Sequence, residues 1–180
     1  MAVHEFTAYL DRQPTDEEID ALYEAGFDDS TIEYGNGRGS IGVFREGETI
    51  ADAIESVVDD ARRAGFTVVG IDDQDLVPLK TIAQRVGRSY EAVRRYATGD
   101  LGPGGFPPVV GMGGWTLVSW AAAAQWFRES LGLDLPDDYR GRVLTAANLL
   151  LRAHAMDIDD AWVALNRMVQ PPTVRELADA

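Results

Sequence analysis

The stretch Leu79-Lys80-Thr81-Ile82-Ala83-Gln84-Arg85-Val86-Gly87-Arg88-Ser89-Tyr90-Glu91-Ala92-Val93-Arg94-Arg95-Tyr96 decides how the middle of this chain is read. Ile82, Ala83 and Val86 fall on one face of a short helix, which Gly87 stops. Ser89 then caps a second helix that turns Val93 and Tyr96 back toward the first and leaves Glu91, Arg94 and Arg95 outward. Two short helices meeting at a steep angle need a small residue where they approach and a permissive backbone at the turn. Ala83 supplies the first and Gly87 the second.

Beyond this pair, Phe106-Pro107-Pro108-Val109-Val110 leads into the glycine-rich hairpin Gly111-Met112-Gly113-Gly114. Trp115-Thr116-Leu117-Val118-Ser119-Trp120 then opens a helix that reaches Trp126-Phe127. Taken with the spacing of Ile82-Ala83, Val86-Gly87, Val93 and Tyr96, this run resembles the excisionase and MerR-type winged helix-turn-helix family of bacterial DNA-binding proteins, over about residues 76–128. The resemblance implies a hairpin wing after the recognition helix, and a short helix whose aromatic pair packs back on the core. It implies double-stranded DNA as the partner: Arg94 and Arg95 pair with guanine in the major groove, and Ser89 and Tyr90 touch phosphate or base edges. Lys80, Arg85 and Arg88 would position the module on the backbone, and Trp115 would serve either as a wing contact or in packing its own domain. Two positions depart from the family. Arg88 stands where it usually has an apolar residue, and the tip Met112-Gly113-Gly114-Trp115 carries no arginine.

Charge is the main argument against nucleic acid, because the chain of 180 residues has a formal net charge of -14 and phosphate binding draws on Lys and Arg. The charge is unevenly spread. Residues 1–75 hold 19 acids and 5 bases, residues 76–130 hold 3 acids and 6 bases, and residues 131–180 hold 8 acids and 5 bases. Only the central segment is basic, so the expected affinity of a single copy is low and strongly dependent on salt.

The acidic first segment reads as strand, helix, hairpin, helix, strand. Phe6 to Leu10 alternates as a strand, and Thr15 with Glu18 makes a capping box for a helix through Ile19, Leu22 and Tyr23 to Gly26. Thr31 to Tyr34 and Ser40 to Phe44 flank a tip containing Asn36-Gly37. Thr49 caps a helix with Ile50, Ala53, Ile54, Val57, Val58 and Ala61 on one stripe, and Phe66 to Ile71 supplies a last strand. The order β-α-β-β-α-β is that of a ferredoxin-like arrangement. Asp72-Asp73-Gln74-Asp75 reads as a solvated linker. In the last segment, Val143, Leu144, Ala147, Leu150, Leu151 and Ala155 form one amphipathic helix. Ala161, Trp162, Leu165, Met168 and Val169 form another, ended by Pro171-Pro172, with Thr173 and Glu176 as a final cap. The expected whole is an α+β protein: a ferredoxin-like domain over 1–75, a winged helix-turn-helix over 76–130, and a helical extension over 131–180 that is a candidate dimerisation element giving a homodimer.

Several function classes lose their basis in the residues. The chain has no cysteine and only two histidines, His4 and His154, at opposite ends, so no cofactor or metal site is expected, and a reducing cytoplasm suits it. The paired acids Asp28-Asp29, Asp59-Asp60 and Asp159-Asp160 lack a neighbouring nucleophile and read as solvating surface, which leaves no catalytic constellation and no enzyme. Gly37-Arg38-Gly39-Ser40-Ile41-Gly42 spells the dinucleotide fingerprint, but a strand rather than a helix follows it. The run Leu101 to Phe127 is uncharged, yet its glycines and prolines break any spanning helix, and the start has no leader pattern. The resemblance makes a DNA-binding transcriptional regulator the leading expectation, with a first domain that senses a ligand, binds a protein partner or regulates by covering the basic recognition helix with its own negative surface. The rival reading is a protein-interaction adaptor or antitoxin-like partner that keeps the helix-turn-helix scaffold without strong DNA binding.

Overall fold

The computed structural model describes residues 1–28, 30–35, 37–112, 115–156 and 158–169. These contain seven α-helices and two antiparallel sheets, an α+β architecture. The Gly113-Gly114 tip, Asn36, Pro171-Pro172 and the Thr173–Glu176 cap fall outside the described residues, as do the side chains of Asp159 and Asp160. None of the described helices is long and apolar enough to cross a membrane.

The first sheet consists of β1 (Ala2–Leu10), β2 (Thr31–Gly35), β3 (Arg38–Gly47) and β4 (Val68–Ile71), ordered β2-β3-β1-β4. Alternation assigns its two faces. Phe6, Ala8 and Leu10 of β1 and Ile41 and Val43 of β3 point inward, whereas Glu5, Thr7 and Phe44 occupy the opposite face. The inward face is covered by α1 (Asp16–Leu22), a π-helical turn over Tyr23–Phe27, and α2 (Ile50–Arg63). Both helices begin with complete capping boxes, Thr15 with Glu18 and Thr49 with Asp52, so the sequence signals for their starts hold. The α2 stripe buries Ile50, Ala53, Ile54, Val57 and Ala61 against Leu22, Phe27 and the sheet.

Asp60 contradicts the expectation that paired acids are solvating surface. Asp59 does pair with Arg62 at the surface, but Asp60 is 6% exposed and sits between two guanidiniums. Arg45 of β3 reaches its Oδ2 at 2.7 Å and Arg63 its Oδ1 at 2.6 Å. The same arginines donate to the carbonyls of Gly26 and Ala25, each at 2.9 Å, and so tie the π-helical turn to the helix and the sheet. The helical periodicity put Asp60 on the edge of the apolar stripe, and its two guanidinium partners, of which the long-range Arg45 has no local signal, offset the cost of its burial.

The second unit is built on a three-stranded sheet, β5 (Leu76–Pro78), β6 (Val110–Met112) and β7 (Trp115–Ser119), ordered β5-β7-β6. Helices α3 (Leu79–Arg85) and α4 (Tyr90–Thr98) lie between β5 and β6, and α5 (Trp120–Leu131) follows β7. Its core joins Val77, Ile82, Ala83, Val93 and Val118 to Trp126 and Phe127. Tyr96 and Phe106 close on that aromatic pair at ring separations of 5.1–6.1 Å, and the Trp126 indole N–H donates to the Gly104 carbonyl at 2.8 Å.

The segment Asp72 to Asp75 is a strut rather than the solvated linker expected. The Asp75 carbonyl accepts from Trp120 N at 2.7 Å and its carboxylate from Ala121 N at 2.8 Å, which satisfies two free amides at the start of α5. Asp73 accepts from the Asn148 side chain, and Asn148 in turn accepts from Ile71 N at 3.1 Å. Asn148 lies on α6 (Tyr139–His154), which packs Val143, Leu144, Ala147 and Leu151 onto the first unit and covers the edge strand β4. Leu150, expected on that stripe, is 61% exposed. A last helix, α7 (Asp159–Val169), leaves Val163, Leu165 and Met168 exposed, and its Trp162 meets the His154 ring at 5.7 Å.

Removing one partner of a buried ion pair strands the other charge. Asp60→Ala is therefore expected to lower the urea unfolding free energy by about 3 kcal/mol, while Asp59→Ala, at the exposed neighbour, changes it little. Equal losses in the two variants would show that Asp60 does not act as the clamp.

Candidate nucleic-acid interface

The sequence fixes the α3–α4 corner locally. Helix α3 ends because Gly87 takes φ +63°, a conformation that L side chains rarely adopt, and Arg88 N then closes onto the Ala83 carbonyl at 3.0 Å. Space is no constraint there, since a Cβ on Gly87 would meet nothing within 4 Å. Ser89 follows in extended conformation, and its Oγ accepts from Ala92 N at 3.2 Å, which starts α4. Ala83 and Val93 are buried between the two helices, and Gly99, at φ +80°, ends α4.

The corner gathers Arg88, Ser89, Tyr90, Arg94 and Arg95 on the turn and the outer side of α4, all solvent-facing. Tyr90 is 52% exposed, so no part of the acidic first unit covers this side of the helix within one chain. Lys80 is exposed at the start of α3. Arg85, at the end of α3, goes elsewhere: its guanidinium lies 4.9 Å from the Trp120 ring centroid, lining a cleft toward the first unit. Trp115 opposes Met112 across the β6–β7 hairpin, and its side chain lies outside the described residues.

Two partners went unnoticed in the sequence. Glu91 holds Arg94 through a double hydrogen bond, Nε to Oε2 at 3.0 Å and Nη2 to Oε1 at 2.8 Å. Their separation of three residues was the available signal. Arg95 donates to the Asp100 carbonyl at 3.2 Å, a contact set by the loop beyond Gly99 and invisible to helical periodicity. The Arg94 hydrogen bond holds the Glu91 carboxyl below the usual glutamate range, and Glu91 raises the Arg94 guanidinium in turn. Because water screens both groups, the pair can be exchanged for an incoming phosphate or base edge. Among the described residues, no group of three acidic or histidine side chains is placed to hold a metal ion.

Comparison with protein-family models, curated proteins and solved structures gives no match to this chain.

A carboxyl depressed by its partner keeps that stabilisation above its unfolded value and loses it as pH falls through the folded one. An NMR titration of the Glu91 carboxyl is expected to show a midpoint below the ordinary glutamate value, moving back toward it in Arg94→Ala. An unmoved midpoint in that variant would mean that the pair does not persist in solution.

Proposed function

We propose that this protein is a DNA-binding transcriptional regulator, with the first unit a ferredoxin-like domain and the second a winged helix-turn-helix that presents α4 to the major groove. The observation that carries this reading is the solvent-facing outer side of α4. It bears Tyr90, Arg94 and Arg95, next to Arg88 in the turn, in the only basic segment of the chain. Nine residues of helix span roughly 13 Å, a length that fits the groove, and a guanidinium is the usual reader of the two acceptors on guanine. Ser89 Oγ is committed to its cap, so its contribution is to orient α4 rather than to read bases. Arg85 is committed to Trp120, which leaves Lys80, Arg88, Arg94 and Arg95 for DNA.

A second reading, a protein-interaction adaptor, is favoured by the apolar residues that the C-terminal helices leave open: Leu149, Leu150, Val163 and Met168 are each at least 60% exposed. Such a surface serves equally for homodimer formation, which a weak DNA-binding module needs in order to gain affinity.

With four bases in play, log affinity for mixed duplex DNA should fall with log salt at a slope of about -3 to -4. Arg94→Ala and Arg95→Ala should each weaken binding roughly tenfold. Glu91→Gln, which releases Arg94, should strengthen it at every salt concentration. Titration of fluorescent duplex by anisotropy reads all three, and binding indifferent to the double alanine variant would remove α4 from the interface. Absence of DNA binding by the intact protein at low salt would favour the adaptor.

A further inference from the structure

A cleft of about 1110 Å³ opens between the two units. Its floor is the open face of the first sheet. Thr7 of β1 and Thr31 of β2 flank Gly42 of β3 in one cross-strand row, with Glu5 opposite Phe44 in another. Asp72 and Glu33 border the floor, and Trp120 and Arg85 form the roof.

Gly42 is the informative residue. Glycine in the interior of a strand weakens it, and its presence calls for a bulge, a crowded neighbour or a ligand that approaches the backbone closely. Neighbouring strand glycines have packing reasons: a Cβ on Gly39 would lie 2.8 Å from Pro14, on Gly47 2.9 Å from the Thr49 carbonyl, and on Gly70 3.0 Å from Asn148. At Gly42 the nearest atom would be the Thr31 carbonyl oxygen at 3.8 Å, an ordinary contact. The register runs through it unbroken on both sides, and its φ is not positive. The fold itself therefore has room for a side chain there, and the missing one opens a furrow between Thr7 and Thr31 on the cleft floor.

The charges choose the occupant. Arg140 donates to the Glu5 carbonyl and Arg142 pairs with Asp137, so both are committed. Among the described residues, Glu5, Glu33 and Asp72 make no ion pair, and Arg85 is the one cleft arginine that makes neither an ion pair nor a hydrogen bond. The lining carries seven carboxylates against three guanidiniums, and this negative excess, with Phe44 at the floor and Trp120 at the roof, matches a positively charged group carried on an apolar or aromatic body. We infer that this cleft is a binding site for a small organic cation, seated over Gly42 with its charge toward Asp72, whose amide is held by the Thr7 carbonyl beside the furrow. The site stands independently of the DNA-binding reading.

Isothermal titration of the full chain with naphthalen-1-ylmethylamine, and with naphthalene-1-acetate as the anion of matching body, tests it. The amine is expected to bind saturably at one site and the acetate not to bind. Gly42→Ala should weaken the amine several-fold and Gly42→Val at least tenfold, with thermal midpoints equal to or above the native one because both residues suit an extended strand better than glycine. Asp72→Asn should weaken it several-fold, and Gly42→Val should leave DNA binding unchanged. The assignment is overturned by equal affinity for amine and acetate, by undiminished amine binding in a folded Gly42→Val variant, or by no saturable amine binding to the native chain.

Discussion

The arrangement of the two units depends on how the first turn of α5 is satisfied. A helix start carries several amides with no partner inside the helix, together with a partial positive charge. Ser119 accepts from Ala122 N, but the amides of Trp120 and Ala121 are met by Asp75, forty-five residues and more upstream, through its carbonyl and its carboxylate. The same few residues hold β5 in register, since Leu76 opposes Ser119 immediately afterwards. At the other end of the strut, Asp72 N donates to the Thr7 carbonyl and Asp73 accepts from Asn148, which joins the first sheet and α6 to it. A segment whose composition suggests a water-loving spacer thus sets the angle between the sheet face and α3.

What the residues disclosed in advance was local. The capping boxes at Thr15 and Thr49, the Gly87 turn, the Ser89 start and the α2 stripe all lie within a few positions of the structure they specify, so spacing alone carries them. The inward placement of Trp126 and Phe127 follows from their size in a short helix whose other apolar residues are mostly alanine. The strand β5 escaped notice because three residues ending in proline give no period to count, and its pairing with β7 is a contact across forty residues. The fate of α6 was equally hidden. Its sequence offers apolar residues around much of its circumference, and its packing on β4 and α2 decides that Leu144 and Leu151 turn in while Leu149 and Leu150 face solvent.

The candidate interface was legible as a scaffold and less so as chemistry. Periodicity places Arg94 and Arg95 on the outward side of α4, and they are there. Nothing periodic states that Glu91 occupies both edges of the Arg94 fork, or that Arg95 reaches the Asp100 carbonyl. Side chains as long as arginine choose among several acceptors within their reach, and the choice belongs to tertiary geometry. The same freedom sends Arg85 to the face of Trp120, where cation–π attraction holds it.

Arg85 links the features that the sequence keeps apart. It is the last residue of α3, two positions before the glycine on which the α3–α4 corner turns, and its guanidinium lies in the roof of the cleft over the first sheet. Trp120, which it covers, is the first residue of α5, and its backbone amide is the one that Asp75 holds at 2.7 Å. Arg85 is solvent-exposed in that roof, so a charge entering the cleft acts on it through water-screened interactions. The α4 arginines face the other way, into solvent, beyond the corner that Arg85 adjoins. The acidic first unit and the basic helix can coexist in one chain because the strut, rather than charge attraction, sets their separation, and this leaves the basic face open.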